Sequence, residues 1–345
     1  MLRHRWKWRR SVAFCLALVL GLLSAGPAAS AKTDAHVPLA GFADVRGHWA
    51  EKDIAEMVQK GGVKGYPDGT FRPDEPVTQE QFMALVLRQL PPFPGHPIDG
   101  FAREQYLSGV KGRWSERAYE KLLAAGIIAY GKPDEKINRL QAARILLTAL
   151  ASQSEGEKYR GTKARFFTDI QVSNEYEVIT VYPVYKLGVM TGFPDNTFRT
   201  EGTLTRAQAV ILMKRLQQKI GELYPDNVSA AAKQAMTATV KNFVEDVMDR
   251  KKIRRYEDLV RYVQEKKLPV TTAFLEEHFS FMKYDGIDFA RFPYFDELLY
   301  FARIGEHKYR LTVQYDSGEL AGSLDKTFYF SSRDGKTFQL IGKNE

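Results

Sequence analysis

The stretch from Gly188 to Leu216 constrains this chain most, because nearly the same text occurs again from Gly62 to Leu90. Gly65-Tyr66-Pro67-Asp68-Gly69-Thr70-Phe71-Arg72 matches Gly192-Phe193-Pro194-Asp195-Asn196-Thr197-Phe198-Arg199. A worn third copy lies between them, from Gly126 through Ile137-Asn138-Arg139-Leu140-Gln141 to Leu150. A period of roughly 60 residues means one supersecondary unit used three times, each burying its apolar face against the others. Function is therefore sought in what the units share.

Thr78, Asn138 and Thr205 each stand directly before an apolar-periodic segment, and Gln81, Gln141 and Gln208 follow three residues later. That spacing is a capping box, in which the cap side chain and the third residue satisfy each other's free amides. Behind it, Phe82, Leu85 and Val86, then Ile145 and Leu146, then Ala209, Leu212, Met213 and Leu216 mark one buried stripe per helix. Gly69 and Asn196 share a loop position, and both types tolerate a left-handed backbone, so the spacing predicts a fixed turn.

At the first helical position the copies carry Gln79, Arg139 and Arg206. A residue there is expected to point outward, beside unpaired amides and the positive end of the helix dipole. An arginine in that place suits an anion, above all a carboxylate gripped by two nitrogens. The plainer alternative pairs each arginine with a neighbouring loop carboxylate.

These motifs resemble the S-layer homology (SLH) repeats of bacterial cell-envelope proteins. The resemblance is carried by Phe42-Ala43-Asp44-Val45 with Trp49, by Phe167-Thr168-Asp169-Ile170, by Trp114 on the matching helix, by the two Asp-Gly/Asn-Thr-Phe loops and by Thr205-Arg206-Ala207. It covers residues 42 to 220 and divides them into repeats at 42–92, 98–151 and 164–222. It implies a mostly helical, pseudo-threefold bundle whose inter-repeat grooves bind a secondary cell-wall polymer, an anionic and often pyruvylated glycan. On that resemblance the ligand-binding residues are Arg206, Thr205, Arg139, Asn138, Gln79, Asp195, Asp68, Trp49 and Trp114. The chain departs from the family pattern in three ways. Gln79 replaces an arginine, the second copy reads Gly131 to Lys136 in place of the loop, and glutamine replaces glutamate in all three capping boxes. Matching each arginine to the loop of its own copy leaves the third copy alone complete.

Residues 1–31 read as a secretion signal: five basic residues up to Arg10, an apolar run from Val12 to Leu23, and a small-residue site at Ala29-Ser30-Ala31. Without them 45 basic residues face 42 acidic ones, so the basic isoelectric point of the whole chain argues for no nucleic-acid partner. Cys15, the single cysteine, falls in the apolar run. Neither a disulfide nor thiol chemistry is expected after cleavage, nor a membrane span.

From residue 226 to 345 the text changes character. Met236, Val240, Phe243, Val244 and Val247 predict one helix; Tyr256, Leu259, Val260 and Val263 a second; and Thr271 or Thr272 caps a third. Beyond Glu297 the period becomes two, through Tyr309, Leu311 and Val313, with turns at Asp316-Ser317-Gly318 and Arg333-Asp334-Gly335-Lys336. Helices followed by an antiparallel sheet make this domain, and so the whole chain, α+β. The six histidines fall in no metal-ligand spacing, and no cofactor is expected. Glu276, Glu277, Asp285 and Asp288 are the only candidates for an acid–base pair. The expectation is accordingly a wall-anchored protein that is no enzyme and displays a binding domain. The alternative is an envelope enzyme acting on a glycan or peptide.

Overall fold

The computed structural model describes residues 42–93, 100–129, 132–248, 253, 255–279, 298–316 and 323–345. The secretion signal, Cys15, Asp285 and Asp288 lie outside the described residues.

The first repeat contributes α1 (Glu51–Gln59) and α2 (Gln79–Gln89). The second adds α3 (Gly100–Leu107), which the sequence reading did not foresee, before α4 (Glu116–Ala124) and α5 (Arg139–Ala149). A single turn, α6 (Ser154–Glu157), leads to α7 (Glu175–Lys186) and α8 (Arg206–Leu223) of the third. Thr78, Asn138 and Thr205 cap α2, α5 and α8, each with both halves of the capping box formed. The predicted apolar stripes of these three helices are buried throughout.

The segments just before the caps meet on a pseudo-threefold axis and close a ring. The Val77 N–H donates to Leu204 O (2.9 Å), Leu204 N–H to Ile137 O (3.3 Å) and Ile137 N–H to Val77 O (3.1 Å). All three side chains are buried there. Around the ring, the second helix of each repeat packs on the first helix of the next: α2 on α4, α5 on α7, and α8 on α1. Three seams result, which we label by the residue at the helix start: the Gln79, Arg139 and Arg206 seams.

Pro183 predicts a kink or a late start in the third repeat. Instead α7 begins at Glu175, capped by Asn174, and runs through Pro183. A proline removes the donor for the carbonyl four residues back, here Ile179. That carbonyl faces Gly156 of α6, where a Cβ would stand 2.5 Å from Ile179 O. Glycine alone lets α6 cover the interrupted turn.

The last part of the chain has a core of its own. Helices α9 (Ala230–Met248), α10 (Tyr256–Lys266) and α11 (Thr272–Phe279) precede four strands. Thr271 accepts the Phe274 N–H at the start of α11. Strands β1 (Leu298–Arg303), β2 (Lys308–Asp316), β3 (Ser323–Ser331) and β4 (Gln339–Ile341) form an antiparallel meander in chain order. Tyr309, Leu311, Val313, Phe328 and Phe330 turn one face toward the helices. Leu298 and Tyr300, by contrast, join the core of the repeats. The Tyr300 hydroxyl donates to Ala149 O, its ring stacks on Tyr224 (4.2 Å, 16°), and Asp325 accepts from the Ser154 N–H and hydroxyl. The chain is α+β. Among the described residues no helix is long and apolar enough to cross a membrane.

Candidate functional site

The two intact loops are built alike. Asp68 accepts from the Thr70 N–H and hydroxyl and from Arg72 Nη2; Asp195 accepts likewise from Thr197 and Arg199. The threonine bonds, with the arginine, hold both carboxyls down at about 2. Gly69 (φ +82°) and Asn196 (φ +61°) adopt the left-handed turn expected of them. So do Arg72 (φ +59°) and Arg199 (φ +60°), which the sequence did not mark. A second carboxylate clamps each loop: Asp44 accepts the Phe71 and Arg72 N–H groups, and Asp169 those of Phe198 and Arg199. Asp44 and Asp169 were visible in the Phe-x-Asp opening, but their role was not. Asp68 and Asp195 therefore shape the loops.

Arg206 does not point outward. It is 9% exposed, its Nε donates to Phe71 O (2.8 Å) and its Nη2 to Lys64 O (3.2 Å), both in the first repeat. Arg139 is 7% exposed and repeats this on the third repeat, with Nε to Phe198 O and Nη2 to Thr191 O, each at 2.7 Å. The amides beside them are not unpaired either. The Arg206 and Ala207 N–H groups donate to Glu75 O and Pro73 O, and those of Arg139 and Leu140 to Gly202 O and Thr200 O. The open-helix-end expectation fails because the ring presses the next repeat's loop onto each helix start, satisfying its donors. Nor is the alternative met: among the described residues neither arginine has a carboxylate within ion-pair distance. Each guanidinium lies instead against the loop's aromatics, Arg206 over Tyr66 and Phe71, Arg139 over Phe193 and Phe198. Arg72 and Arg199 also lie over Tyr66 and Phe193, at 4.2 and 4.0 Å from the ring centroids. Burial pushes both inner arginines below their ordinary range, Arg139 to about 10 with Arg199 adding to the effect.

The arginine of one repeat thus works with the loop of the next, which corrects the pairing within copies. Arg139 meets the third loop and Arg206 the first, so two seams are complete. Gln79 faces the second repeat, where Gly131 to Lys136 stand in place of the Asp-Gly/Asn-Thr-Phe loop; 1% exposed, it accepts from the Tyr119 hydroxyl at 3.1 Å. Arginine and loop are kept together or lost together.

Thr205 and Asn138 are spent on capping, and Asn138 Nδ2 also donates to Glu201. Trp49 precedes α1 in the Arg206 seam and Trp114 precedes α4 in the Gln79 seam, each 64% exposed. The matching turn of the Arg139 seam has Ser173 and no tryptophan. Among the described residues no group of histidine, cysteine and acid side chains is placed to hold a metal. Glu276 and Glu277 lie exposed on α11, and Glu277 accepts the Lys343 N–H.

The family model of the S-layer homology domain matches residues 41–83 and 166–210, which span the first helix, the loop and the start of the second helix in repeats one and three. The chain carries S-layer homology domains. The S-layer protein sap of Bacillus anthracis is 29% identical over 212 residues, 59% of this chain and 24% of that protein. The cellulosome-anchoring protein of Acetivibrio thermocellus is 49% identical over 47 residues, 14% of this chain and 10% of that one. The amylopullulanase of Thermoanaerobacterium thermosulfurigenes is 28% identical over 187 residues, 53% of this chain and 10% of the enzyme. The chain spans a quarter or less of the length of each of these relatives. Two of these relatives are named as an S-layer protein and a cellulosome-anchoring protein, which supports a place for this chain at the cell wall.

Proposed function

We propose that carboxylate groups of a secondary cell-wall polymer enter the two arginine seams and hold the chain on the wall. One observation carries this reading. Arg206 and Arg139 are buried cations, bonded to carbonyls and laid on aromatic faces, with no carboxylate in ion-pair contact among the described residues. A desolvated charge of this kind gains when an anion arrives with matching geometry. Neutral Gln79 makes no such demand.

The Arg206 seam is the stronger of the two. Trp49 stands beside it, whereas the Arg139 seam has no tryptophan and gathers Glu177 and Glu201 beside Asp169, the counterpart of Asp44 in the Arg206 seam. Burial raises the Glu177 carboxyl, and those two neighbours raise it further, so an anion entering there meets repulsion. The C-terminal domain is displayed as a binding domain, and no catalytic step is assigned to it. The test is retention of the chain on purified wall before and after removal of the secondary polymer. Retention should fall away on stripped wall; equal retention would overturn the reading.

A further inference from the structure

We propose that the C-terminal domain clamps the anchor. It ties together the far ends of the two helices that begin at Arg139 and Arg206, so that the repeats and the last domain open as one unit. The clamp rests on the fold alone; only its consequence for ligand binding rests on the reading above. Helices α5 and α8 start in the arginine seams and end against the sheet. A helix leaves its last carbonyls without partners from within. At the end of α5, Leu146 O, Leu147 O and Thr148 O accept the N–H groups of Leu150, Ser152 and Ala151. Tyr300 of β1 donates its hydroxyl to the next carbonyl, Ala149 O. Tyr224, which ends α8, donates its own to Leu150 O at 2.9 Å, beside the Ser152 hydroxyl at 3.1 Å. The two rings stack, so one pair of tyrosines bridges both helix ends. At the end of α8, Leu223 O accepts from Arg310 of β2, whose guanidinium lies 5.2 Å from the centre of the Tyr224 ring. Burial pushes both phenols up, Tyr224 to about 12, so both stay protonated donors. The end of α2, which begins at Gln79, is closed within its own repeat. Leu87 O accepts the Leu90 N–H there, and the Gln89 side chain donates to Leu85 O and Gly62 O.

The sheet is shaped for this contact. Tyr300, Thr312 and Thr327 are cross-strand neighbours on the face turned away from Leu311. An antiparallel sheet commonly leaves one face to water. Here β2 packs on α4 and β3 on α5, and Leu298, Tyr300, Ala302 and Thr312 are all buried. Separating the domains returns that surface to water and strips Ala149 O and Leu223 O of their side-chain donors. The connection is pinned as well. Asn227, between α8 and α9, exchanges two bonds with the Arg303 backbone, at 2.9 and 2.8 Å. A ligand that binds only the folded unit protects every part of that unit by the same factor.

Hydrogen exchange read by mass spectrometry on the full chain, in rising denaturant, tests this. Peptides from α5 and β3 should converge on one opening with the same denaturant dependence. Tyr300→Phe combined with Arg310→Gln keeps the ring and most of the bulk while removing both bonds. It should speed exchange in the last turns of α5 and α8 about tenfold and leave the last turn of α2 unchanged. Wall polymer at roughly a hundred times its midpoint concentration should slow exchange in α5 and β3 alike, about a hundredfold. Separate openings of α5 and β3 in the parent would overturn the clamp, and so would a double variant whose helix ends exchange as in the parent. Polymer that protects α5 and leaves β3 unprotected would overturn it too. Polymer that protects neither counts against the arginine seams and not against the clamp, which the denaturant series decides by itself.

Discussion

The Arg206 and Gln79 seams solve the same packing problem with different chemistry. In both, a capped helix start is covered by a segment of the next repeat around the ring, and its first two N–H groups donate to carbonyls there: Glu75 O and Pro73 O in one, Glu135 O and Pro133 O in the other. The backbone frame is thus indifferent to the side chain at the first helical position. What differs is the content. One seam buries a guanidinium against Tyr66, Phe71 and two carbonyls; the other buries an amide against a tyrosine and an ion pair of Glu80 with Arg113. The comparison teaches that the arginine belongs to the groove and not to the repeat that encodes it.

The largest break in that comparison should come from truncating the inner arginines. Arg206→Ala and Arg139→Ala each strand one buried and one part-buried carbonyl and empty the space against two aromatic rings, and each should cost about 2–4 kcal/mol in a denaturant melt. Gln79→Ala loses the neutral bond with the Tyr119 hydroxyl and no buried charge, and should cost about 1 kcal/mol. A smaller but more pointed effect is expected from Gln79→Arg. The second repeat offers no loop to receive a guanidinium, so the larger side chain overpacks against Tyr119 and destabilises by about 1–3 kcal/mol. A stabilised melt from that substitution would mean arginine and loop are not a unit. The smallest difference concerns the caps. Thr205→Ala, Asn138→Ala and Thr78→Ala should each cost about 1 kcal/mol and be alike, because all three boxes are fully formed. Unequal costs would place part of the seam chemistry in the caps.

Much of this frame was legible in the sequence because it is local. Capping boxes, apolar stripes, the left-handed Gly69 and Asn196, and the alternating strand residues around Leu311 each depend on neighbours a few positions away. Four features were not legible. Which loop Arg206 meets is decided by the ring of Val77, Ile137 and Leu204, whose bonds join residues 60, 67 and 127 positions apart. The direction of the arginines follows from that closure: a position that faces solvent on an isolated helix faces a carbonyl here. Docking of the strand carrying Tyr300 onto Ala149 is equally non-local. The passage of α7 through Pro183 turns on Gly156, a residue in another helix.

On the reading proposed above, Arg206 and Arg139, buried with no carboxylate in ion-pair contact among the described residues, are the points of attachment. Calorimetric titration of a carboxylate-bearing wall fragment into four chains, each checked to be folded at the assay temperature, addresses it most directly. The parent should show two sites. Arg206→Gln should remove the tighter one and Arg139→Gln the weaker, each change amounting to a loss of about 1–3 kcal/mol at its own site, while Gln79→Ala keeps both. Should Gln79→Ala weaken binding as much as Arg206→Gln, or should both arginine variants bind like the parent, the claim is wrong.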